Sequence, residues 1–406
     1  MPSSGQQISF ITQNLLQTQE QLMPVENKKG GLYIGIPKET TLQENRIALV
    51  PSSVLTLTSR GNRILVETGA GEHAHYSDHE YSEAGAEIAY SAEQVYQADV
   101  ILKVAPPTLD ELEYFRPHQI LISPLQAPLI TEEYIHKLRQ KRVIALAMEY
   151  IKDDFGFYPV VRIMSEIAGM NAMLTAAELL STSRGGIGVL LGGVAGVPPA
   201  KVVILGAGVV GEFATRVALG LGAEVRIFDN NIFKLMRLQN QVGRQLYTSA
   251  IDPTVLAHEL TTADATIGAI HSGSGRAPMV VTENMVRKMK TGSVIIDVSI
   301  DQGGCFETSR VTTHDKPTFR YHDVIHYGVP NIASRVPRTA SHAISNILTP
   351  ILLRSEQYGS LYNLLISSHG LLHGIYIFKG SLTNLYLSER FKMRFTSIEL
   401  LIIAGQ

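Results

Sequence analysis

The sequence predicts an α/β protein built from two doubly wound domains, one inserted into the other. Three observations carry this. Short apolar runs alternate with helical patterns along most of the chain, as expected for parallel sheets covered by helices. One of these runs, Lys201–Leu205, leads straight into Gly206-x-Gly208-x-x-Gly211 and then a helical pattern. Two long helical patterns, Ile163 to Leu180 and Ala343 to Leu353, bracket the region around those glycines, as a hinge pair would.

Taken in order, residues 1–30 are a Gln-rich N-terminal extension with a short amphipathic pattern from Ile8 to Leu22, closing in a linker-like Glu26-Asn-Lys-Lys-Gly-Gly31. The first strand is expected at Leu32–Ile36 and a helix at Ser52–Arg60. Further strands are expected at Arg63–Glu67, Val100–Val104, Ile120–Ser123 and Val143–Ala147. These belong to a substrate domain made of 31–164 and 336–406. The inserted domain spans 165–335, with strands at Lys201–Leu205, Glu224–Asp229, Ala265–Ile270 and Ser293–Val298. A substrate cleft is expected between the domains, at the carboxyl ends of the strands.

Composition removes several function classes. The chain has 406 residues, 45% of them hydrophobic and 18% charged, which suits a globular protein of two ordinary domains. A formal net charge of -2 leaves no polyanion footprint, so no nucleic-acid partner is expected. No apolar run approaches the roughly 18 residues that span a bilayer, and no secretory leader pattern opens the chain. The single cysteine, Cys305, forbids an intrachain disulfide. The expectation is a cytoplasmic protein with no membrane partner.

The glycine motif has a physical reading at each position. Gly206 permits a tight turn, Gly208 lets backbone approach a pyrophosphate, and Gly211 lets the helix sit close to the strand. The helix N-terminus then offers free N–H groups to phosphate. Asp229 ends the next strand about 20 residues on, where a carboxylate binds the ribose hydroxyls of NAD and would repel the extra phosphate of NADP. The cofactor expected is therefore NAD. The alternative is a tight turn in some other α/β protein.

Other constellations are weaker. Asp297-Val-Ser-Ile-Asp301-Gln-Gly-Gly304 follows a buried strand and faces the cleft, a position that favours a nicotinamide or substrate contact; the alternative is an acidic turn with Gly303 and Gly304 supplying positive φ. Arg46, in the loop after the first strand, suits a bidentate grip on a substrate carboxylate; a surface ion pair is the commoner use of such an arginine. His73, His75 and His79 lie close in sequence, but without a spacing that converges imidazoles, so no metal site is assigned. Cys305 reads as a small buried side chain. Lys103, inside a buried strand, either snorkels out or faces the cleft.

Together the motifs resemble the alanine dehydrogenase family, which includes the N-terminal part of the pyridine nucleotide transhydrogenase α subunit. The resemblance covers about residues 32–392. It rests on Gly35-Ile-Pro-Lys-Glu39, Glu44-Asn-Arg46, Glu67-x-Gly-Ala-Gly71, Leu102-Lys-Val104, Met164-Ser-Glu-Ile-Ala-Gly169, Gly192-Gly-Val-x-Gly-Val197, the glycine motif and Asp301-Gln-Gly-Gly-Cys305. Asp301–Arg310, Val329-Pro-Asn331 and Lys379-Gly-Ser-Leu-Thr-Asn384 resemble the dehydrogenase branch. The resemblance implies two Rossmann-like domains, a homohexamer, and NAD-dependent interconversion of L-alanine with pyruvate and ammonia. It implies that Arg46 holds the substrate carboxylate, that Asp301 stands beside the reacting centre, and that Glu149 supports the site. It further implies cofactor contacts at Ser165, Gly206, Gly208, Gly211, Asp229, Lys234, Arg310 and Asn331.

Two positions depart from the family pattern. The family strand reads Leu-Lys-Val-Lys-Glu-Pro and its second lysine binds substrate; here that position is Ala105. The family's Phe-Leu-His supplies an acid/base histidine; here the run is Pro124-Leu-Gln126. Gln126 hydrogen-bonds but does not titrate near neutrality, and loss of a positioned acid/base typically costs ~10²–10⁴-fold. Lys103 is expected to replace the missing lysine in part. The leading expectation is an alanine dehydrogenase whose activity is weakened or redirected. The alternative is an NAD(H)-binding protein without turnover, either a sensor or a transhydrogenase-like subunit.

Overall fold

Apolar runs without polar alternation, such as Tyr33–Ile36, Ile120–Ser123 and Ile144–Ala147, are what strands covered on both faces require. The structure, a computed structural model, describes residues 31–41, 43–127, 130–272 and 275–404. The N-terminal extension with its Ile8–Leu22 pattern lies outside them. In chain order the strands are β1 (Tyr33–Ile36), β2 (Arg63–Glu67), β3 (Glu87–Ala89), β4 (Val100–Leu102), β5 (Ile120–Ser123), β6 (Ile144–Ala147), β7 (Lys201–Leu205), β8 (Glu224–Phe228), β9 (Tyr247–Ser249), β10 (Ala265–Gly268), β11 (Val294–Asp297), β12 (Thr318–Tyr321), β13 (Val324–Tyr327), β14 (Ile375–Phe378) and β15 (Ser381–Leu382).

They form two sheets. The first runs β3-β2-β1-β4-β5-β6-β14-β15, and the second runs β9-β8-β7-β10-β11-β13-β12. All pairings are parallel except β6–β14, β14–β15 and β12–β13. Both sheets therefore reverse their winding direction once, between β1 and β4 in the first and between β7 and β10 in the second. Open α/β sheets bind ligands at such switch points, outside the carboxyl ends of the strands. Because β14 and β15 return to the first sheet after β13, the second sheet is inserted into the chain of the first.

Five helices matter for the site: α1 (Pro51–Thr58), α2 (Pro159–Leu179), α3 (Val209–Gly220), α4 (Ile232–Val242) and α5 (Pro337–Arg354). The chain leaves the first sheet through α2 and returns through α5. Both start earlier than apolar spacing predicts, because a proline occupies the first turn of each and its missing N–H costs nothing there. In contrast, β4 stops at Leu102 rather than Val104. The Val104 N–H turns to the Glu39 carboxylate instead of a neighbouring strand, and Pro106 and Pro107 have no N–H to offer a ladder.

Candidate active site

The glycine loop has the geometry its sequence implies. Gly206 sits at φ +108, and a Cβ there would lie 2.3 Å from the Ala269 carbonyl oxygen. A Cβ on Gly211 would lie 1.9 Å from the Gly206 carbonyl oxygen, so only glycine lets α3 approach β7 this closely. Nothing lies within 4 Å of the Cβ position of Gly208, and no side chain caps the N-terminus of α3. This leaves an open cradle with unpartnered helix N–H groups, which fits a pyrophosphate. Asp229 follows β8, and its two oxygens accept from the Ala207 and Asn231 N–H groups at 2.8 and 2.7 Å. Its carboxylate is thereby fixed beside the cradle, where a ribose diol belongs. Lys234 is exposed in the first turn of α4, the helix that follows Asp229.

The substrate side is built by loops at the carboxyl ends of β1, β4, β5 and β6. Arg46 follows β1 and is 7% exposed. Its Nε and Nη2 donate to the two oxygens of Glu44 at 2.7 and 2.6 Å, and Nη1 donates to the Met164 Sδ at 3.2 Å. Burial opposes the guanidinium charge, but Glu44 outweighs it and keeps Arg46 protonated. Burial also pushes Glu44 up, and the Arg46 pair pulls it below the ordinary carboxylate range.

Gln126 follows β5 in the left-handed region, φ 48, and its buried Oε1 has no hydrogen-bond partner among the described residues. Glu149, just past β6, fixes this loop: its oxygens accept the Leu125 N–H at 2.8 and 3.0 Å and the Gln126 N–H at 3.0 Å. Burial raises the Glu149 carboxyl above its ordinary value. Ala105 follows β4 with its methyl fully buried.

Lys103 does not stand in for the lysine that Ala105 replaces. It is 1% exposed, and its ammonium lies 2.8 Å from Glu111 and 3.2 Å from Glu39. Burial opposes its charge, and the two carboxylates restore it. Burial raises the Glu39 carboxyl to about 7 despite the nearby ammonium. The expected replacement fails because a buried ammonium goes to its charge partners, here Glu39 and Glu111.

Asp301 enters from the second sheet, just past β11. Its residue surface is exposed, yet the surrounding protein removes enough hydration to raise its carboxyl to about 6. The Asn331 N–H and the charge of Arg46 act the other way. Beneath it, buried Asp297 accepts from the Cys305 N–H at 3.0 Å and the Ser309 hydroxyl at 2.6 Å. Cys305 is fully buried, and burial pushes its thiol up. Asn331 follows β13, and its amide donates to Glu44 rather than turning to the cradle.

The structure thus brings Arg46, Asp301 and Asn331 together and keeps Gln126 and Glu149 in contact on the adjoining loops. Ser165 lies half-buried on α2, next to the Met164 that touches Arg46. Arg310 is not brought to the cradle. Its guanidinium stands 5.7 Å from the Phe319 ring and 5.4 Å from the Tyr321 ring, on edge strand β12. A groove of about 850 Å³ between α1 and α5 is lined by none of these candidates. His73, His75 and His79 are exposed, and His79 faces Glu83 at 3.5 Å. Glu39 and Glu44 entered from sequence only as marks of the resemblance, with no site role, and Glu111 not at all, although Glu44 and Arg46 two apart on extended chain share a side.

Comparison with known proteins gives this arrangement its relatives. Residues 35–168 match the family described as alanine dehydrogenase/PNT, N-terminal domain, and residues 172–385 match alanine dehydrogenase/PNT, C-terminal domain. The chain belongs to the alanine dehydrogenase/PNT family. Within that family it is 40% identical over 372 residues to alanine dehydrogenase 2 of Staphylococcus aureus (strain USA300), covering 91% of this chain and 99% of that one. A solved L-alanine dehydrogenase superposes with a TM-score of 0.83 at 37% identity, covering 88% of this chain and 99% of that one. A transhydrogenase from Sinorhizobium meliloti superposes with 0.73 at 26% identity, covering 87% and 99%. The doubly wound α/β architecture of the alanine dehydrogenase/PNT family is thus that of this chain. Among the described residues no helix is long and apolar enough to cross a membrane.

Proposed function

We propose that this chain is an NAD-dependent alanine dehydrogenase, converting L-alanine, NAD and water to pyruvate, ammonia and NADH. The observation that carries the reading is the meeting of Arg46 and Asp301 from the two sheets' carboxyl ends, joined by Asn331, whose N–H donates to Asp301 and whose amide donates to the Glu44 that pairs with Arg46. In this reading Arg46 holds the substrate carboxylate. Its Nε–Nη2 fork is occupied by Glu44, so the carboxylate meets the Nη1–Nη2 edge, where the Met164 thioether is a weak and displaceable partner. Asp301 takes up and returns the reaction's proton. The Gln126 amide hydrogen-bonds the reacting nitrogen or carbonyl oxygen, and Glu149 holds the Gln126 loop in place. Gly206, Gly208 and Gly211 receive the diphosphate of NAD, Asp229 its ribose, and Ser165 and Lys234 flank it. NAD, when bound, supplies the hydride acceptor.

The assembly this reading carries is a cytoplasmic homohexamer with residues 165–335 as the inserted dinucleotide domain. Light scattering of the purified chain checks the hexamer. The second reading is an NAD(H)-binding protein without turnover. It is favoured by two observations: Gln126 does not titrate near neutrality, and Lys103 is committed to Glu39 and Glu111. One assay separates them. Absorbance of NADH is followed with ammonium and a panel of 2-oxo acids. Turnover with pyruvate supports the dehydrogenase; NADH binding by fluorescence with no turnover on any acid overturns it.

A further inference from the structure

Glu44 is a saturated carboxylate. Oε1 accepts from the Arg46 N–H at 2.9 Å, the Arg46 Nε at 2.7 Å and the Ser334 hydroxyl at 3.1 Å. Oε2 accepts from the Arg46 Nη2 at 2.6 Å and the Asn331 Nδ2 at 2.5 Å. A carboxylate offers about four lone-pair positions, so Glu44 has no capacity left to act as a base. What it does is fix the direction of the Arg46 plane, and hence of the one donor edge left for a ligand.

Asn331 is the other end of this arrangement. Its amide reaches Glu44, while its own N–H donates to the Asp301 Oδ1 at 3.0 Å. It holds a left-handed backbone, φ 57, a conformation glycine adopts more easily than any residue with a side chain. The backbone donor to Asp301 needs no side chain, whereas the contact to Glu44 does. An unbroken hydrogen-bonded chain therefore runs from Asp301 through Asn331 and Glu44 to Arg46, from the second sheet to the first.

We infer that Asn331 and Glu44 are positioning residues that lock the open edge of Arg46 in register with Asp301, so that a carboxylate gripped by the one is presented to the other. This rests on the reading of Arg46 as the carboxylate clamp. It gives Asn331 a task toward substrate that differs from a cofactor contact.

Asn331→Gly separates the two tasks, since it keeps the left-handed turn and the N–H to Asp301 and removes the amide. Calorimetry with oxamate, a pyruvate mimic that does not turn over, measures the clamp in the NADH complex of the full chain. Pyruvate kinetics and NADH fluorescence are read in parallel. The expected result is oxamate affinity and pyruvate KM weakened about tenfold, the scale of one hydrogen bond to a charged group. NADH affinity, and the pH limb that Asp301 sets, stay unchanged. Glu44→Gln weakens oxamate more. Adding Asn331→Gly to Glu44→Gln costs nothing further, because the two act through one chain. Three results overturn the inference: wild-type oxamate affinity in Asn331→Gly, loss of NADH affinity in place of oxamate affinity, or additive effects in the double variant. If thermal melts show Glu44→Gln unfolded, Ser334→Ala replaces it, with the same non-additivity expected. A wild type that binds oxamate but turns over no acid overturns the dehydrogenase and leaves the inference standing. One that binds no oxamate overturns both.

Discussion

Asp301 decides what the cleft can do at a given pH. Its carboxyl is raised to about 6, chiefly by lost hydration, so above that pH it is a carboxylate able to accept a proton. Alanine oxidation should therefore fall as pH drops through about 6, and Asp301→Asn should abolish that limb and slow turnover ~10²–10⁴-fold, the usual worth of a positioned acid/base. The stability effect has the opposite sense. A carboxyl whose pKa is higher folded than unfolded favours the fold at low pH and loses that contribution as pH rises through the folded value. Asp301→Asn should thus gain stability over wild type as pH rises from the ordinary aspartate value of 3.8 to about 6, and hold that lead at higher pH, in denaturant titrations; a pH-independent gap would mean Asp301 is not desolvated. Gln126 makes the complementary test. Gln126→His places an imidazole where an unpartnered amide oxygen now sits, and pyruvate reduction should rise by about 10²-fold, with a new limb near the ordinary histidine pKa. No gain in kcat would show that this loop does not face the reacting atoms. Arg46 and Asp301 were legible in the sequence because each follows a predicted strand. The fate of Lys103 was not, since its partner Glu111 lies beyond the strand at the start of a single helical turn, Glu111–Tyr114, too short for a periodicity to reveal.

At the level of elements, the Arg46 loop is held by α5 and the turn before it. Three fully buried serines accept backbone N–H groups from it: Ser334 from Asn45 at 2.8 Å, Ser341 from Ile47 at 2.9 Å and Ser345 from Val50 at 3.1 Å. Loop backbone that does not pair with a strand needs such partners when buried. Ser341→Ala leaves the Ile47 N–H unpaired and should destabilise the fold by about 1–3 kcal/mol, with pyruvate KM rising more than kcat falls because the loop carries the clamp and not the acid/base. An unchanged melting midpoint would show that water replaces the hydroxyl. The β7–α3–β8 unit was legible from sequence because Gly206 and Gly211 answer steric demands that no other residue meets, while Gly208 leaves the cradle open. The strands β3, β9, β12, β13, β14 and β15 were not expected. They are two to four residues long, too short for an alternation or a buried run to register. The serine role was hidden for a related reason: Ser341 and Ser345 share a face of α5, but the N–H groups that donate to them lie nearly 300 residues earlier.

For the whole molecule, the question is whether the two sheets respond to a ligand as one body. α2 and α5 join them covalently, and the Gln43–Val50 loop of the first is hydrogen-bonded to His314, between β11 and β12 of the second, and to Asn331, Ser334, Ser341 and Ser345 after β13. A ligand held by the glycine loop should therefore raise the melting point of the entire chain in a single transition. At a free concentration of about 100 Kd, NADH should add about 2.7 kcal/mol. Asp229 makes this shift selective. Its carboxylate is pinned by two backbone N–H groups and cannot swing away from a 2′-phosphate, so NADPH at equal concentration should shift the midpoint far less. Asp229→Ser, which removes the charge and retains a hydroxyl, should narrow the difference mainly by improving NADPH. Equal shifts from both cofactors in wild type would remove Asp229 from the ribose site. Two transitions, of which NADH moves only one, would show instead that the contacts between the Arg46 loop and α5 are too weak to make the sheets melt together.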